Sequence, residues 1–200
     1  MTVQVTDPRS LPVLGAGERA MTAPVEYIPN FVTDPDAAFA ALKEGLDWER
    51  RDDAPRCEYY CNDVDEPYVY GRGAGRRTYL PRPYIPEILS IRKALEEYAG
   101  CPFEVCFLNM YLNQRDHLGW HADDSPEMDP DRPIVSVSLG VEREIWFKRK
   151  DEEMIERVTL GHGSACIMAP GMQREYLHRI PKASFICGER ISLTFRGYVK

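Results

Sequence analysis

The stretch on which the fold turns reads Asn109-Met110-Tyr111-Leu112-Asn113-Gln114-Arg115-Asp116-His117-Leu118-Gly119-Trp120-His121-Ala122-Asp123. His121 and Asp123 are separated by one residue, so on an extended strand both side chains point to the same face of a sheet. That face offers an imidazole and a carboxylate at one point, which is two ligands of a metal site. A further ligand has to arrive from a distant strand, and the chain has four histidines, at 117, 121, 162 and 178.

What surrounds that stretch decides the kind of sheet that carries it. From residue 103 onward the sequence alternates in short runs: Phe103–Tyr111, Ile134–Gly140, Arg143–Arg149, Val158–Leu160, Ala165–Ala169, Arg174–Ile180 and Arg190–Val199, punctuated by Gly and Pro. Seven short strands at this spacing predict a two-sheet sandwich or jelly roll, an α+β fold that is mainly β. His178 lies in the sixth run, where a jelly roll returns the chain beside the earlier strand. His162 lies in a Leu-Gly-His-Gly turn and His117 in a polar loop ahead of Gly119, and both read as ordinary loop residues. His178 is therefore the expected third ligand. Two His and one carboxylate form the set that keeps positions open on Fe(II) for O2 and a co-substrate.

The last run carries a second signal. Arg190, Ser192, Thr194 and Arg196 fall on one face of the strand, and Ile191, Leu193 and Phe195 on the other. The polar face either carries surface salt bridges or turns into a cavity. Two arginines there suit a dicarboxylate co-substrate such as 2-oxoglutarate, because a guanidinium binds a carboxylate through two parallel hydrogen bonds.

Upstream the texture changes. Residues 1–24 read as an irregular arm, and a short apolar run, Val25 to Phe31, leads into Thr33-Asp34-Pro35, an N-cap with Pro behind it. The helix that follows places Phe39, Leu42 and Leu46 three and four apart, and a second helix over Pro86–Tyr98 buries Ile88, Ile91, Leu95 and Tyr98 before Gly100 and Pro102 end it. Between residues 52 and 85 aromatic rings alternate with Gly and Arg, among them Tyr68, Tyr70, Arg72, Arg76, Arg77 and Arg82. These suit either a hairpin whose tyrosines cover a core edge or a lid whose rings stack on bases while its guanidinium groups take phosphates. The expected organisation is a single domain over 1–200, with helices and lid in 25–100 and the jelly-roll core in 101–200.

Composition bounds the function. With 44% hydrophobic and 28% charged residues the chain reads as a soluble globular protein, and no run approaches the ~18 apolar residues of a membrane span. The N-terminus lacks a basic-then-apolar leader, and six scattered cysteines read as free thiols, so the expected location is intracellular, cytoplasmic or in a eukaryote nuclear. Cys57 and Cys61 have no second pair to complete a zinc site. A formal charge of -7 argues against a broad basic surface gripping duplex nucleic acid. A monomer without membrane association is expected.

Taken together, Asn109-Met110-Tyr111, His121-Ala122-Asp123-Asp124, Ser136-Val137-Ser138-Leu139-Gly140, His162-Gly163-Ser164, His178 and Arg190-Ile191-Ser192-Leu193-Thr194-Phe195-Arg196 resemble the AlkB family of Fe(II)/2-oxoglutarate dioxygenases. The resemblance runs from about Pro55 to Lys200. It implies a double-stranded β-helix with an N-terminal substrate lid, Fe(II) on His121, Asp123 and His178, and 2-oxoglutarate held by Asn109, Tyr111, Arg190, Thr194 and Arg196, with Arg196 also in the catalytic set. It implies oxidative demethylation of N-alkylated bases such as 1-methyladenine and 3-methylcytosine in DNA or RNA, consuming O2 and releasing formaldehyde, succinate and CO2. The substrate is expected to be single-stranded or a base flipped out of a duplex. Tyr68 and Tyr70 match the aromatic segment of the lid, with Arg72 beside them. Where many members of that family have an acidic residue two positions after the metal Asp, this chain has Ser125, and Asp124 is the acidic candidate for substrate contact. A hydroxylase or demethylase acting on a protein or small molecule through the same iron site is the alternative, and a catalytically silent binding module is a third reading.

Overall fold

The computed structural model describes residues 21–52, 54–70 and 76–199. The N-terminal arm expected over 1–24 therefore lies almost wholly outside the described residues. In chain order the elements are β1 (Val25–Ile28), α1 (Pro35–Gly45), β2 (Glu49–Arg50), β3 (Cys57–Asn62), β4 (Tyr68–Tyr70), β5 (Arg77–Tyr79), α2 (Pro86–Ala99), β6 (Val105–Tyr111), β7 (Leu118–His121), β8 (Ile134–Gly140), β9 (Arg143–Arg149), β10 (Glu156–Leu160), β11 (Ser164–Met168), α3 (Met172–Glu175), β12 (Tyr176–Ile180) and β13 (Arg190–Arg196).

Two antiparallel sheets face one another. The larger runs β1-β11-β8-β13-β6-β3-β2 and the smaller β10-β9-β12-β7, with β4-β5 as a separate hairpin. This is the expected jelly roll. The larger sheet draws strands from both sides of residue 101, because β1 pairs with β11 and β3 with β6.

Both expected helices form, and for the expected reasons. Asp34 caps α1 by accepting from the Ala37 N–H at 3.1 Å. In α2, Ile88, Ile91 and Leu95 are buried, and Gly100 closes the helix at a φ of 69°, a left-handed conformation that glycine adopts without a Cβ clash. The two helices cover the outer face of the larger sheet, where Leu42, Ile88, Ile91 and Leu95 pack against Leu108, Val137, Leu193 and Phe195. The inner face is left free to carry polar groups between the sheets.

Two local expectations are corrected. The run expected as a strand from Arg174 begins instead with α3, and the strand starts only at Tyr176. Gly171, at a φ of 78°, turns the chain and starts the short helix. β7 ends at His121, so Asp123 stands just past the strand rather than on it. Among the described residues no helix is long and apolar enough to cross a membrane.

Candidate active site and metal centre

The smaller sheet supplies the imidazoles. β12 pairs antiparallel with β7 so that His178 lies directly opposite His121, and the two rings sit 4.2 Å apart between centroids. Asp123 follows two residues on, with its backbone N–H donating to Gln173 Oε1 at 2.9 Å. His121 Nε2 lies 3.8 Å from one carboxylate oxygen of Asp123, and His178 Nε2 lies 3.8 Å from the other. One ligand atom from each of the three residues falls within 4.8 Å of the others.

The electrostatics suit a cation. Burial presses both imidazoles below their ordinary value, His178 down to about 3, so each is neutral and keeps a lone pair to give. The Nδ1 of His121 bonds the Gly119 carbonyl at 2.9 Å; that carbonyl can only accept, so Nδ1 carries the proton and Nε2 is left as the ligand atom. Burial alone would raise the Asp123 carboxyl, but the Arg196 guanidinium outweighs it and holds the group below its ordinary value. Arg196 Nη2 donates to Asp123 Oδ1 at 2.7 Å, whereas Oδ2 is buried with no hydrogen-bond partner among the described residues. A buried, ionised and half-satisfied carboxylate oxygen beside two neutral imidazoles fits a divalent metal.

The larger sheet supplies the polar row. Arg190, Ser192, Thr194 and Arg196 are all buried on β13 while Ile191, Leu193 and Phe195 face the helices. Arg190 is fully buried. Its Nε donates to Ser138 Oγ at 2.8 Å and its guanidinium lies over the Tyr111 ring at 5.3 Å, but Nη1 and Nη2 have no partner among the described residues. Burial pushes this guanidinium down to about 10, so it is still charged at neutral pH. Asn109 and Tyr111 of β6 lie opposite Ser192 and Arg190 in the register. The row therefore ends in two unmet, charged donors, which fits a buried carboxylate.

His121 and Asp123 open on a cleft with about 310 Å³ of empty space, open solvent included, lined also by Arg56, Tyr68, Tyr79, Phe107, Asn109, Leu118 and Arg196. Tyr68 is buried and does double duty. Its ring stacks between Tyr60 and Tyr79, at 5.6 and 6.1 Å, and its hydroxyl reaches Ser125 Oγ at 3.1 Å and Arg196 Nη1 at 3.5 Å. Tyr68 thus covers a core edge, as the hairpin reading expects, and the same side chain walls the cavity.

Other expected residues fall elsewhere. Tyr70 ends β4 opposite Arg77 in the register, and Arg72 lies outside the described residues. Asp124 does not line the cavity. One step along an extended chain from Asp123, it turns outward to solvent, 3.6 Å from Lys150 Nζ. His162 accepts from the Gly140 N–H at 2.8 Å and His117 contacts the Arg115 carbonyl at 3.0 Å, so both are the loop residues they were expected to be.

The cavity also uses residues that the sequence reading passed over. Arg56, Tyr79 and Phe107 line it, with Glu58 bonded to Arg56 and Tyr79 from behind, because β3 and the β4-β5 hairpin pack beside β6. The available signal was Arg56 and Glu58, two oppositely charged residues two apart in a run otherwise of Cys and Tyr.

Comparison with known proteins agrees with this geometry. The sequence model described as the 2OG-Fe(II) oxygenase superfamily matches residues 25–196. Alpha-ketoglutarate-dependent dioxygenase alkB homolog 3 of Bos taurus is 32% identical over 188 residues, covering 84% of this chain and 64% of that protein. DNA oxidative demethylase ALKBH2 of Mus musculus is 33% identical over 127 residues, 60% of this chain and 53% of that protein. The chain thus spans about half to two thirds of the length of these curated relatives. Among solved structures, OsALKBH1 superposes with a TM-score of 0.65 at 18% identity, covering 90% of this chain and 99% of that one, which is a likeness of fold.

Proposed function

This chain belongs to the 2OG-Fe(II) oxygenase superfamily, and from that premise we propose that it removes N-methyl groups from alkylated bases such as 1-methyladenine and 3-methylcytosine, in single-stranded DNA or RNA or in bases flipped from a duplex. The observation that carries the reading is the set of buried polar atoms left without partners among the described residues. Asp123 Oδ2 beside two neutral imidazoles calls for a cation, and the Nη1 and Nη2 of Arg190 call for a carboxylate. Fe(II) and 2-oxoglutarate supply those two charges.

In this reading His121, Asp123 and His178 hold the metal, and Arg190 takes the far carboxylate of 2-oxoglutarate with Tyr111 opposite it in the register. Thr194, further along the same face of β13, serves the same co-substrate, as does Asn109. Arg196 occupies Asp123 Oδ1 and so leaves Oδ2 to the metal, while its Nε, buried and without a partner, is free for the co-substrate. When bound, the metal and co-substrate supply O2 activation coupled to decarboxylation of 2-oxoglutarate to succinate, with the second oxygen atom entering the methyl C–H bond. The hydroxymethyl group would then leave as formaldehyde with release of a proton, and the ring nitrogen would regain its lone pair. Tyr68, Tyr79 and Phe107 wall the cavity with aromatic surface and exclude water, and a flat base can stack against such rings. A base within a duplex cannot reach a buried metal, so the target has to be unstacked. The names of the relatives, a DNA oxidative demethylase among them, support a nucleic-acid substrate. All six cysteines are free, which supports an intracellular location.

The test is to supply Fe(II), 2-oxoglutarate and O2 with a panel of methylated single- and double-stranded oligonucleotides and measure formaldehyde and succinate. Formaldehyde in step with succinate on at least one methylated base is the expected result. Turnover of 2-oxoglutarate without formaldehyde from any of them would overturn the nucleic-acid reading in favour of a protein or small-molecule substrate.

A further inference from the structure

Beside the cavity lies a buried ion pair, Arg56 and Glu58, that the proposed reaction does not use. Arg56, next to β3, donates from Nε to Asn109 Oδ1 at 2.6 Å and from Nη2 to Glu58 Oε1 at 2.5 Å. The Tyr79 hydroxyl, from the β4-β5 hairpin, donates to Glu58 Oε2 at 2.8 Å. All four residues are buried, and Arg56, Tyr79 and Asn109 line the same cavity as His121 and Asp123.

We propose that Arg56 is a positioning residue for the co-substrate: it fixes which end of the Asn109 amide faces the cavity, and Glu58 and Tyr79 hold it in place from the lid side. Polarity sets the orientation. A guanidinium has donors only, so the Asn109 atom it touches has to be the carbonyl oxygen. With that oxygen tied back, Asn109 has only its NH2 group, two donors, left to offer. The carboxylate and keto oxygens of 2-oxoglutarate only accept. An amide turned the other way would set a carbonyl against a carboxylate, a repulsive pairing in a site shielded from water.

Space filling alone does not account for this pair. A buried ion pair contributes little net stability compared with apolar residues of the same volume, whereas an apolar pair here would leave the Asn109 amide free to turn. Glu58 lies opposite Asn109 in the β3-β6 register, so the carboxylate that steadies Arg56 is set by the same ladder that sets Asn109. Tyr79 ties that carboxylate to the hairpin. The orientation of Asn109 is thereby linked to the seating of the lid.

This inference rests on the co-substrate reading above, and the experiment separates the two. The affinity of Mn(II)-loaded protein for 2-oxoglutarate is measured without O2, by calorimetry, for the wild type, Arg56→Met, Asn109→Leu and the two combined. Arg56→Met is expected to weaken 2-oxoglutarate by about tenfold, the loss of one charge-assisted hydrogen bond, with Mn(II) affinity unchanged. In the Asn109→Leu background the same substitution is expected to change affinity by less than about twofold, because residues acting through one another are not additive. Steady-state turnover should show a raised KM for 2-oxoglutarate with kcat nearly kept. Additive losses, or an equal loss of Mn(II) binding, would overturn the role of Arg56. Because Arg56→Met strands a buried Glu58, the Arg56→Met/Glu58→Gln variant is measured too; it should show the same weakened affinity, and wild-type affinity there would also overturn the role. Wild-type protein that takes up Mn(II) but no 2-oxoglutarate would overturn the co-substrate reading and this inference together.

Discussion

At the scale of single residues, the site is built from polar atoms that the fold buries and then leaves unmet. Arg190 is the sharpest case. Its Nε is satisfied by Ser138 and its ring-facing side by Tyr111, yet the two terminal nitrogens have no partner among the described residues. Lysine keeps the positive charge but cannot reproduce the planar two-pronged donor. Arg190→Lys is therefore expected to raise the KM for 2-oxoglutarate by at least about tenfold, given the 1.5–3 kcal/mol typical of hydrogen bonds to charged groups. Steady-state kinetics with varied 2-oxoglutarate would read it, and an unchanged KM would remove Arg190 from the co-substrate site. The polar row on β13 was legible from alternation alone. Arg56 and Glu58 were not, because their partner Asn109 is some fifty positions away.

At the scale of elements, the connections that hold the sheets in register are as specific as the strands. Gly140 ends β8 at a φ of 93°, and a Cβ there would stand 2.4 Å from the Glu189 carbonyl. Gly140→Ala is expected to destabilise the protein by about 1–3 kcal/mol from backbone strain, with more from the clash, as measured by urea unfolding. A second connection runs from β6 to β7, joining Asn109 and Tyr111 to His121. Asp116 pins it, accepting two hydrogen bonds from Arg50 at 3.0 Å each and one from the Leu112 N–H at 2.8 Å. Burial alone would raise this carboxyl, but Arg50 and the backbone N–H outweigh it and hold it below its ordinary value of 3.8. A carboxyl lowered on folding stabilises fully above its unfolded value, and that contribution fades as pH falls through the folded one. Asp116→Asn should therefore lower stability at neutral pH and flatten the loss of stability below about pH 4. An acid limb as steep as the wild type's would show that Asp116 contributes nothing to it.

At the scale of the whole molecule, the two sheets meet at the metal trio, with β7 and β12 on one side and β13 on the other. A ligand that binds only the folded state stabilises all of it. Metal with 2-oxoglutarate is expected to raise Tm, with about 2.7 kcal/mol of added stability at a hundredfold excess over Kd, and a chelator should reverse the shift. A Tm that responds to metal in wild type and equally in a His178→Ala variant would place the ion elsewhere.

Alternation and spacing were local properties, and they were enough to determine most strands of the core, the two amphipathic helices, the His121 and Asp123 pair, and the polar face of β13. Elimination among four histidines then pointed to His178. Tertiary structure alone decided that His178 sits opposite His121, since a register between strands nearly sixty residues apart follows from closing the whole sandwich. It also decided that Asp124 faces solvent while Tyr79, Arg56 and Phe107 wall the cavity. Those placements depend on how the β4-β5 hairpin and β3 pack against β6, and such packing is a sum over partners distant in sequence that no local pattern records.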